Sequence, residues 1–250
     1  MMQMSKMIRG ALAALSLSAV TLGTLSTQAA DPVRLVGFDS LPMSAIVDGN
    51  KLAGPGYEFV ADLFKSAGVP FVAEGQSPLR IAESLDAGNT VAVYFIRTPD
   101  RETRFTWIGG LIEDDGFAFI TLSRNPKIDS FDQAKSLKSI GVISSDAVKN
   151  ILIGQGITAL DPSPSSVQNA KKLLAGRFDA WFSTINVARY WIKQEGAEAN
   201  TITVGKTLVP AAGWITASKS LPAETVTKLQ TALAAAKADG RYAAFRAQIN

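Results

Sequence analysis

Arg101, in the run Phe95-Ile96-Arg97-Thr98-Pro99-Asp100-Arg101-Glu102, is the residue whose type and place offer the clearest chemistry. It follows an apolar stretch, Val91–Ile96, at the turn where a strand gives way to a helix. Open α/β sheets bind ligands at the carboxyl ends of their strands, and a guanidinium there can fork onto a carboxylate or phosphate. The competing reading is an arginine in a surface ion pair, which is what most arginines are. Thr98, three residues upstream, offers a hydroxyl to the same anion or a cap to the following helical turn. Tyr94, expected to point outward near the end of the strand leading to Arg101, is the aromatic best placed to line a site.

What is missing narrows the chemistry further. The 250 residues contain no histidine and no cysteine. That excludes a Ser-His-Asp triad, a Cys-His nucleophile, a His-ligated metal and a disulfide framework. No carboxylates cluster at calcium-loop spacing, so neither a metal nor any other cofactor is expected. Catalysis would have to rest on Asp, Glu, Lys, Tyr or Ser.

The first 30 residues read as a segment to be removed. Lys6 and Arg9 precede the apolar stretch Ala11–Leu22, and the small residues Ser26-Thr27-Gln28-Ala29-Ala30 follow it. This is the pattern of a secretory signal peptide cleaved after Ala29 or Ala30, and its apolar run is shorter than the roughly 20 residues of a membrane span. Without cysteine there is no site for an N-terminal lipid, so a soluble periplasmic protein that is not a lipoprotein is expected. Residues 1–30 carry two of the 25 basic residues and none of the 22 acidic ones, leaving a net charge of +1. No basic face accompanies that balance, so no nucleic-acid partner is expected.

The remainder alternates strands and helices. Val33–Phe38 reads as a strand, and a helix follows Gly54-Pro55-Gly56 with Phe59, Val60, Leu63, Phe64 and Ala67 on one face. Val69–Val72 is a short strand. Pro78 opens a helix, and Val91–Ile96 reads as a strand covered on both faces. Gly116–Leu122 is another strand, and a second series begins after the polar turn Ser123-Arg124-Asn125-Pro126-Lys127. It runs through a short helix capped by Ser130 and Gln133, a strand at Ser139–Ile143 with its helix, and a proline-serine loop at 161–166. A helix ended by Gly176, the strand Phe178–Ser183, the helix Ile185–Ile192 and a weaker strand at Thr201–Val204 complete it. Gly213–Ala217 then reads as a strand and Pro222–Ala238 as the final helix.

Several segments, in order, carry a resemblance: Val33–Phe38; Gly54…Gly56-Tyr57-Glu58-Phe59-Val60-Ala61-Asp62-Leu63; Leu85…Gly88; Thr98-Pro99-Asp100-Arg101-Glu102; Ile140–Ile143; Leu173–Ala180; and Ala238-Asp239-Gly240-Arg241-Tyr242. From about Val33 to Ile249 the chain resembles the extracellular solute-binding proteins of family 3, the periplasmic binding partners of polar amino-acid ABC transporters. Pro78-Leu79-Arg80, Arg97–Arg101 and Trp107-Ile108-Gly109-Gly110-Leu111 are similar to a divergent branch of that family.

The resemblance implies an α/β, two-lobed periplasmic binding protein type II fold, each lobe a mixed sheet flanked by helices and hinged by crossing segments. Lobe 1 would comprise residues 31–120 and 210–250, and lobe 2 residues 121–209. It also implies a monomer that captures a small carboxylate-bearing solute, an amino acid or related compound, for a membrane permease of an ABC transporter. A sensory role toward a membrane receptor, or a cyclohexadienyl-dehydratase-like enzyme, is the alternative; the lack of histidine argues against the enzyme.

Carried over residue by residue, Arg101 matches the arginine that holds the ligand α-carboxylate, and Thr98 keeps its family place. The small hydroxyl residue expected five positions before the arginine is Ile96, and the acidic residue expected to pair with the ligand ammonium is Thr184. Asp179 matches an aspartate whose role is structural. The second-lobe turn reads Ser144-Ser145-Asp146, offering hydroxyls and backbone N–H groups, with Asp146 either a helix cap or a contact. Asp39 and Asp146 are the candidate sources of negative charge, and Arg80 joins the site through the divergent-branch likeness. A buried ammonium without a carboxylate partner is costly. The expected ligand is therefore a carboxylate, with or without an amine.

Overall fold

The structure, a computed structural model, describes residues 31–249 apart from Ser145. The signal peptide expected over residues 1–30, and Ser145 of the second-lobe turn, lie outside the described residues.

The first half runs β1 (Val33–Gly37), β2 (Ala45–Val47), β3 (Lys51–Ala53), α1 (Pro55–Ser66), β4 (Phe71–Gly75), α2 (Pro78–Ala87), β5 (Thr90–Ile96) and β6 (Thr106–Ile112). The chain then crosses into β7 (Gly116–Leu122), α3 (Phe131–Ala134), β8 (Ile140–Ile143), α4 (Asp146–Ile153), β9 (Leu160–Ser163) and α5 (Ser166–Leu174). After β10 (Ala180–Thr184), α6 (Ile185–Gln194) and β11 (Ile202–Val204), it returns through β12 (Val209–Pro210) to β13 (Gly213–Ala217). It ends in α7 (Ala223–Ala238) and α8 (Arg241–Ile249).

Among the described residues the strands form two principal sheets and the small β2–β3 hairpin. The first sheet has the order β4-β1-β5-β13-β6, with β1 parallel to both β4 and β5 and β13 antiparallel to β5 and β6. The second has the order β11-β7-β10-β8-β9, with β12 beside β7. Its strands β10, β8 and β9 are parallel, and β7 runs antiparallel to β10. β6 closes the first sheet and β7 pairs within the second, with residues 113–115 joining them.

Apolar periodicity builds these layers. Leu35, Val60, Leu63, Phe64, Leu111, Ile215, Leu229, Leu233 and Phe245 pack α1, α7 and α8 onto one face of the first sheet. Val36, Ile81, Leu85, Ala92, Phe95 and Phe105 pack α2 onto the other. The second sheet is covered on both faces as well, by Ala170, Leu173 and Ala188 on one side and by Ala134, Val148 and Leu152 on the other. Burying a Leu or Phe side chain stabilises by about 1.5–3 kcal/mol, so each sheet has its own sufficient core.

Several elements were not expected from sequence, the short strands β2, β3 and β12 among them. The proline-serine loop contains β9, an edge strand in which Pro162 pairs opposite Val142, a position where a missing N–H costs no ladder bond. The segment Trp107–Leu111 is part of β6. Beyond Asp239-Gly240, α8 docks Phe245 and Ile249 into the first core, so Pro222–Ala238 is not the last helix.

Candidate functional site

The register of both sheets puts the sequence-selected residues at strand carboxyl ends. In the first sheet Val36 is paired with Ala92, so Asp39, after β1, and the turn after β5 lie at one edge. In the second, Trp181 pairs with Gly141 in parallel, so Thr184 and Ser144, three residues on in each strand, stand side by side. Both edges adjoin the crossing segments: Gly213, which begins β13, pairs with Ile96 and Ile112, and Phe117, near the start of β7, pairs with Thr184.

Arg101 ends a 3-10 turn, Pro99–Arg101, that starts directly after β5. Its guanidinium lies 4.2 Å from the centre of the Phe95 ring and donates from Nη1 to the Ile96 carbonyl at 3.1 Å. Among the described residues no carboxylate forms an ion pair with it. Its remaining donors are therefore available to an anion. The expected surface ion pair belongs instead to its neighbours: Arg97 with Glu102, and Arg104 with Asp86.

Thr98 precedes the turn in extended backbone, and its side chain caps nothing. Its hydroxyl oxygen is buried without a hydrogen-bond partner. The Asp100 carboxylate is near enough for this hydroxyl to hold its pKa below the ordinary range, yet the pair misses hydrogen-bond geometry. A buried hydroxyl left unpaired is unfavourable.

Tyr94 departs from the outward orientation expected of it. Between Trp214–Phe95 and Thr216–Ala92 the β5 strand carries one residue more than β13, so Val93 and Tyr94 together oppose Ile215. Such a bulge turns two successive side chains the same way. Both enter the α1/α7 core, and Tyr94 is only 7% exposed. Its ring crosses Gly213, and burial, reinforced by Asp115, raises the pKa of the phenol, which stays neutral.

Asp39 is exposed in a bend after β1, without an ion pair among the described residues. Arg80, in the first turn of α2, is exposed as well; its charge contributes to lowering the pKa of Glu74, whose direct partner is Arg34. Ser144 is exposed and anchored by its backbone N–H to the Ser163 carbonyl at 2.9 Å. Asp146 is the first residue of α4. Thr184 stands at the N-cap of α6, again without a side-chain cap bond. Asp179, as expected, is a strand-end acceptor, taking the N–H groups of Lys138 and Ser139 at 2.6 and 3.2 Å.

One residue of this region went unnoticed in the sequence. Glu113, Asp114 and Asp115 are three consecutive acids whose side chains go three ways. Glu113 pairs with Lys237 and Asp114 with Arg246. Asp115, 5% exposed, turns inward and accepts the backbone N–H groups of Gly116 and Asn186 at 2.9 and 3.3 Å. Its own carbonyl takes the Ala211 N–H at 3.1 Å, joining the two crossing segments. Burial raises the Asp115 pKa above its unfolded value near 3.8, more than the N–H donors lower it. Stability from this group is therefore full below pH 3.8 and lost as pH rises through the raised value. Melting temperatures from pH 3 to 7 should show wild type losing ground to Asp115→Asn as pH rises. A difference that moves the other way contradicts the assignment.

Among the described residues no group of three acidic side chains is disposed to hold a metal ion, and no helix is long and apolar enough to cross a membrane.

Two sheet-bearing lobes linked by paired crossing segments define the type II periplasmic-binding-protein fold. Solved structures share it. An ancestral arginine-binding protein bound to glutamine is 21% identical with a TM-score of 0.62, covering 87% of this chain and 97% of that one. The substrate binding domain 2 of Lactococcus lactis GlnP, in an open conformation, is 16% identical with a TM-score of 0.67, covering 89% and 97%. A histidine kinase sensor domain with similarity to periplasmic binding proteins is 15% identical with a TM-score of 0.64, covering 88% and 96%. No protein-family model matches the sequence, nor does any curated protein.

Proposed function

We propose that this chain is a divergent member of the family 3 solute-binding proteins, exported to the periplasm, where it captures a small carboxylate-bearing solute between its lobes. The observation that carries this reading is the turn after β5, where an unpaired guanidinium, Arg101, stands three residues from a buried, unpaired hydroxyl, Thr98. Lobe 1, residues 31–120 and 210–250 by the sequence reading, holds the anion. Lobe 2 closes over it with Ser144, Ser145, Asp146 and Thr184. Asp39 and Arg80, both exposed at the strand ends of lobe 1, complete its wall. Closure hides the solute from water and creates the surface that a membrane permease recognises.

Binding rather than catalysis is the reading this chemistry supports. Asp115, the buried acid at the crossing segments, is occupied by backbone N–H groups, as a structural carboxylate would be. Likeness to a kinase sensor domain supports a second readout for the same capture step, in which the closed form is reported to a membrane receptor.

A thermal-shift screen of the mature protein across amino acids, other small carboxylates and small cations tests the reading. A ligand at a hundred times its Kd raises the stability by about 2.7 kcal/mol. For a chain of this size that is an expected rise of roughly 5–10 °C. Stabilisation by cations alone would sink it.

A further inference from the structure

We infer that Arg97, Glu102 and the Trp107–Trp214 pair form a brace that holds the 97–102 turn in the shape presenting Arg101, making Arg97 and Glu102 positioning residues of the anion site. The inference rests on the proposed carboxylate-binding role of Arg101 and adds what keeps that residue available.

The geometry closes the turn on itself. Arg97 Nε donates to Glu102 Oε2 at 2.8 Å and its Nη2 donates to Oε1, so the first and last residues of the turn are joined by a bidentate pair. The Arg97 guanidinium also stacks against tryptophan, 4.3 Å from the Trp214 ring centre and 5.2 Å from that of Trp107. Those two rings meet edge to face at 6.3 Å. Trp107 Nε1 donates to the Glu102 carbonyl at 3.2 Å, and the Arg97 N–H donates to the Ala212 carbonyl at 3.1 Å. The brace thus ties the turn both to β6 and to the crossing segment before β13. Inside it, the Arg101 N–H reaches the Thr98 carbonyl at 3.0 Å and the Arg104 N–H reaches the Arg101 carbonyl at 3.1 Å.

Two physical consequences follow. A binding group held within about half an ångström of its working position loses little entropy when ligand arrives. The pair also occupies Glu102, the residue next to Arg101, whose carboxylate would otherwise be free to neutralise the anion site. A planar fork that stacks is what this place requires, and an ammonium supplies neither property.

The test uses the mature protein with the variants Arg97→Gln, Arg97→Lys, Glu102→Gln and Arg101→Ala, and acetate as the probe carboxylate. Amide hydrogen exchange at Arg101 and Arg104 should quicken about tenfold or more in Arg97→Gln and Glu102→Gln, with Leu35 and Val36 in β1 unchanged, and Arg97→Lys should not restore protection. Acetate titrated against the backbone N–H resonance of residue 101 should saturate in wild type, require roughly tenfold more acetate in the two brace variants, and leave that resonance unresponsive in Arg101→Ala. Exchange within twofold of wild type in both Gln variants, or full protection with lysine, overturns the brace. Altered exchange with unaltered acetate half-saturation overturns its positioning role. No acetate response in wild type, with exchange altered as expected, counts against the carboxylate site and leaves the brace supported.

Discussion

Arg101→Ala is expected to abolish capture of the carboxylate ligand while leaving a folded protein. A hydrogen-bonded charge pair in a closed cleft loses about 2–5 kcal/mol when one partner is truncated, largely because the other charge is left desolvated and alone. At 1.4 kcal/mol per tenfold, calorimetry should show an affinity loss of at least roughly 30-fold, and more than 1,000-fold where the cleft closes fully. The structural contribution of Arg101 is small by comparison. It makes one hydrogen bond, to the Ile96 carbonyl, and lies on the Phe95 ring. Those contacts are worth about 1–2 kcal/mol, which for a domain of this length lowers the melting temperature by roughly 2–8 °C. Unchanged affinity in a folded variant would remove Arg101 from the site.

The second large effect is expected at Gly213. A Cβ built there overlaps Tyr94 Cε2 and Cδ2 and lies 2.7 Å from Cζ, closer than non-bonded carbon atoms can stand. The glycine is not left-handed, so an alanine meets no backbone strain and the conflict is wholly with the ring. That ring is held between Phe38, 6.4 Å away, and the rest of the first core, on a bulged strand that leads straight into the Arg101 turn. Gly213→Ala should therefore cost about 1–3 kcal/mol by overpacking, a fall of roughly 2–12 °C in melting temperature. Adding Tyr94→Ala should make the double variant less damaged than the two single effects summed, since the clash disappears with the ring. Simple additivity would mean that the close approach is not what constrains Gly213.

Legibility in the sequence followed the physics of each element. Val91–Ile96 and the α1 stripe of Phe59, Leu63 and Phe64 were readable because an unbroken apolar run fits a strand covered on both faces, and a 3.6-residue period fits a helix buried on one. β6 was not, because Gly109 and Gly110 interrupt its apolar pattern and its pairing with β13 shifts register twice, at Gly213/Trp214 and Ile215/Thr216. α8 left a trace in Tyr242, Phe245 and Ile249, a short stripe after Asp239-Gly240 that invited a stop.

The site divides in the same way. Arg101 and Thr98 were legible because a turn after a buried strand limits where their side chains can go. The inward turn of Tyr94 was hidden, since a bulge depends on how many residues the partner strand supplies. Asp115 was hidden by its company: in sequence it is one of three consecutive acids, and only the fold separates the inward carboxylate from the two that meet Lys237 and Arg246. The Arg97–Glu102 pair, five residues apart, shows no helix spacing that would have predicted it.

The most direct test compares, by calorimetry on the wild-type mature protein, the best-binding carboxylate from the screen with its methyl ester. The ester keeps nearly the same shape and removes only the charge and one acceptor that Arg101 is expected to hold. The account predicts that the acid binds and that the ester is weaker by roughly 100-fold or more. Equal affinity for acid and ester would contradict it, because the unpaired guanidinium after β5 would then have no part in recognition.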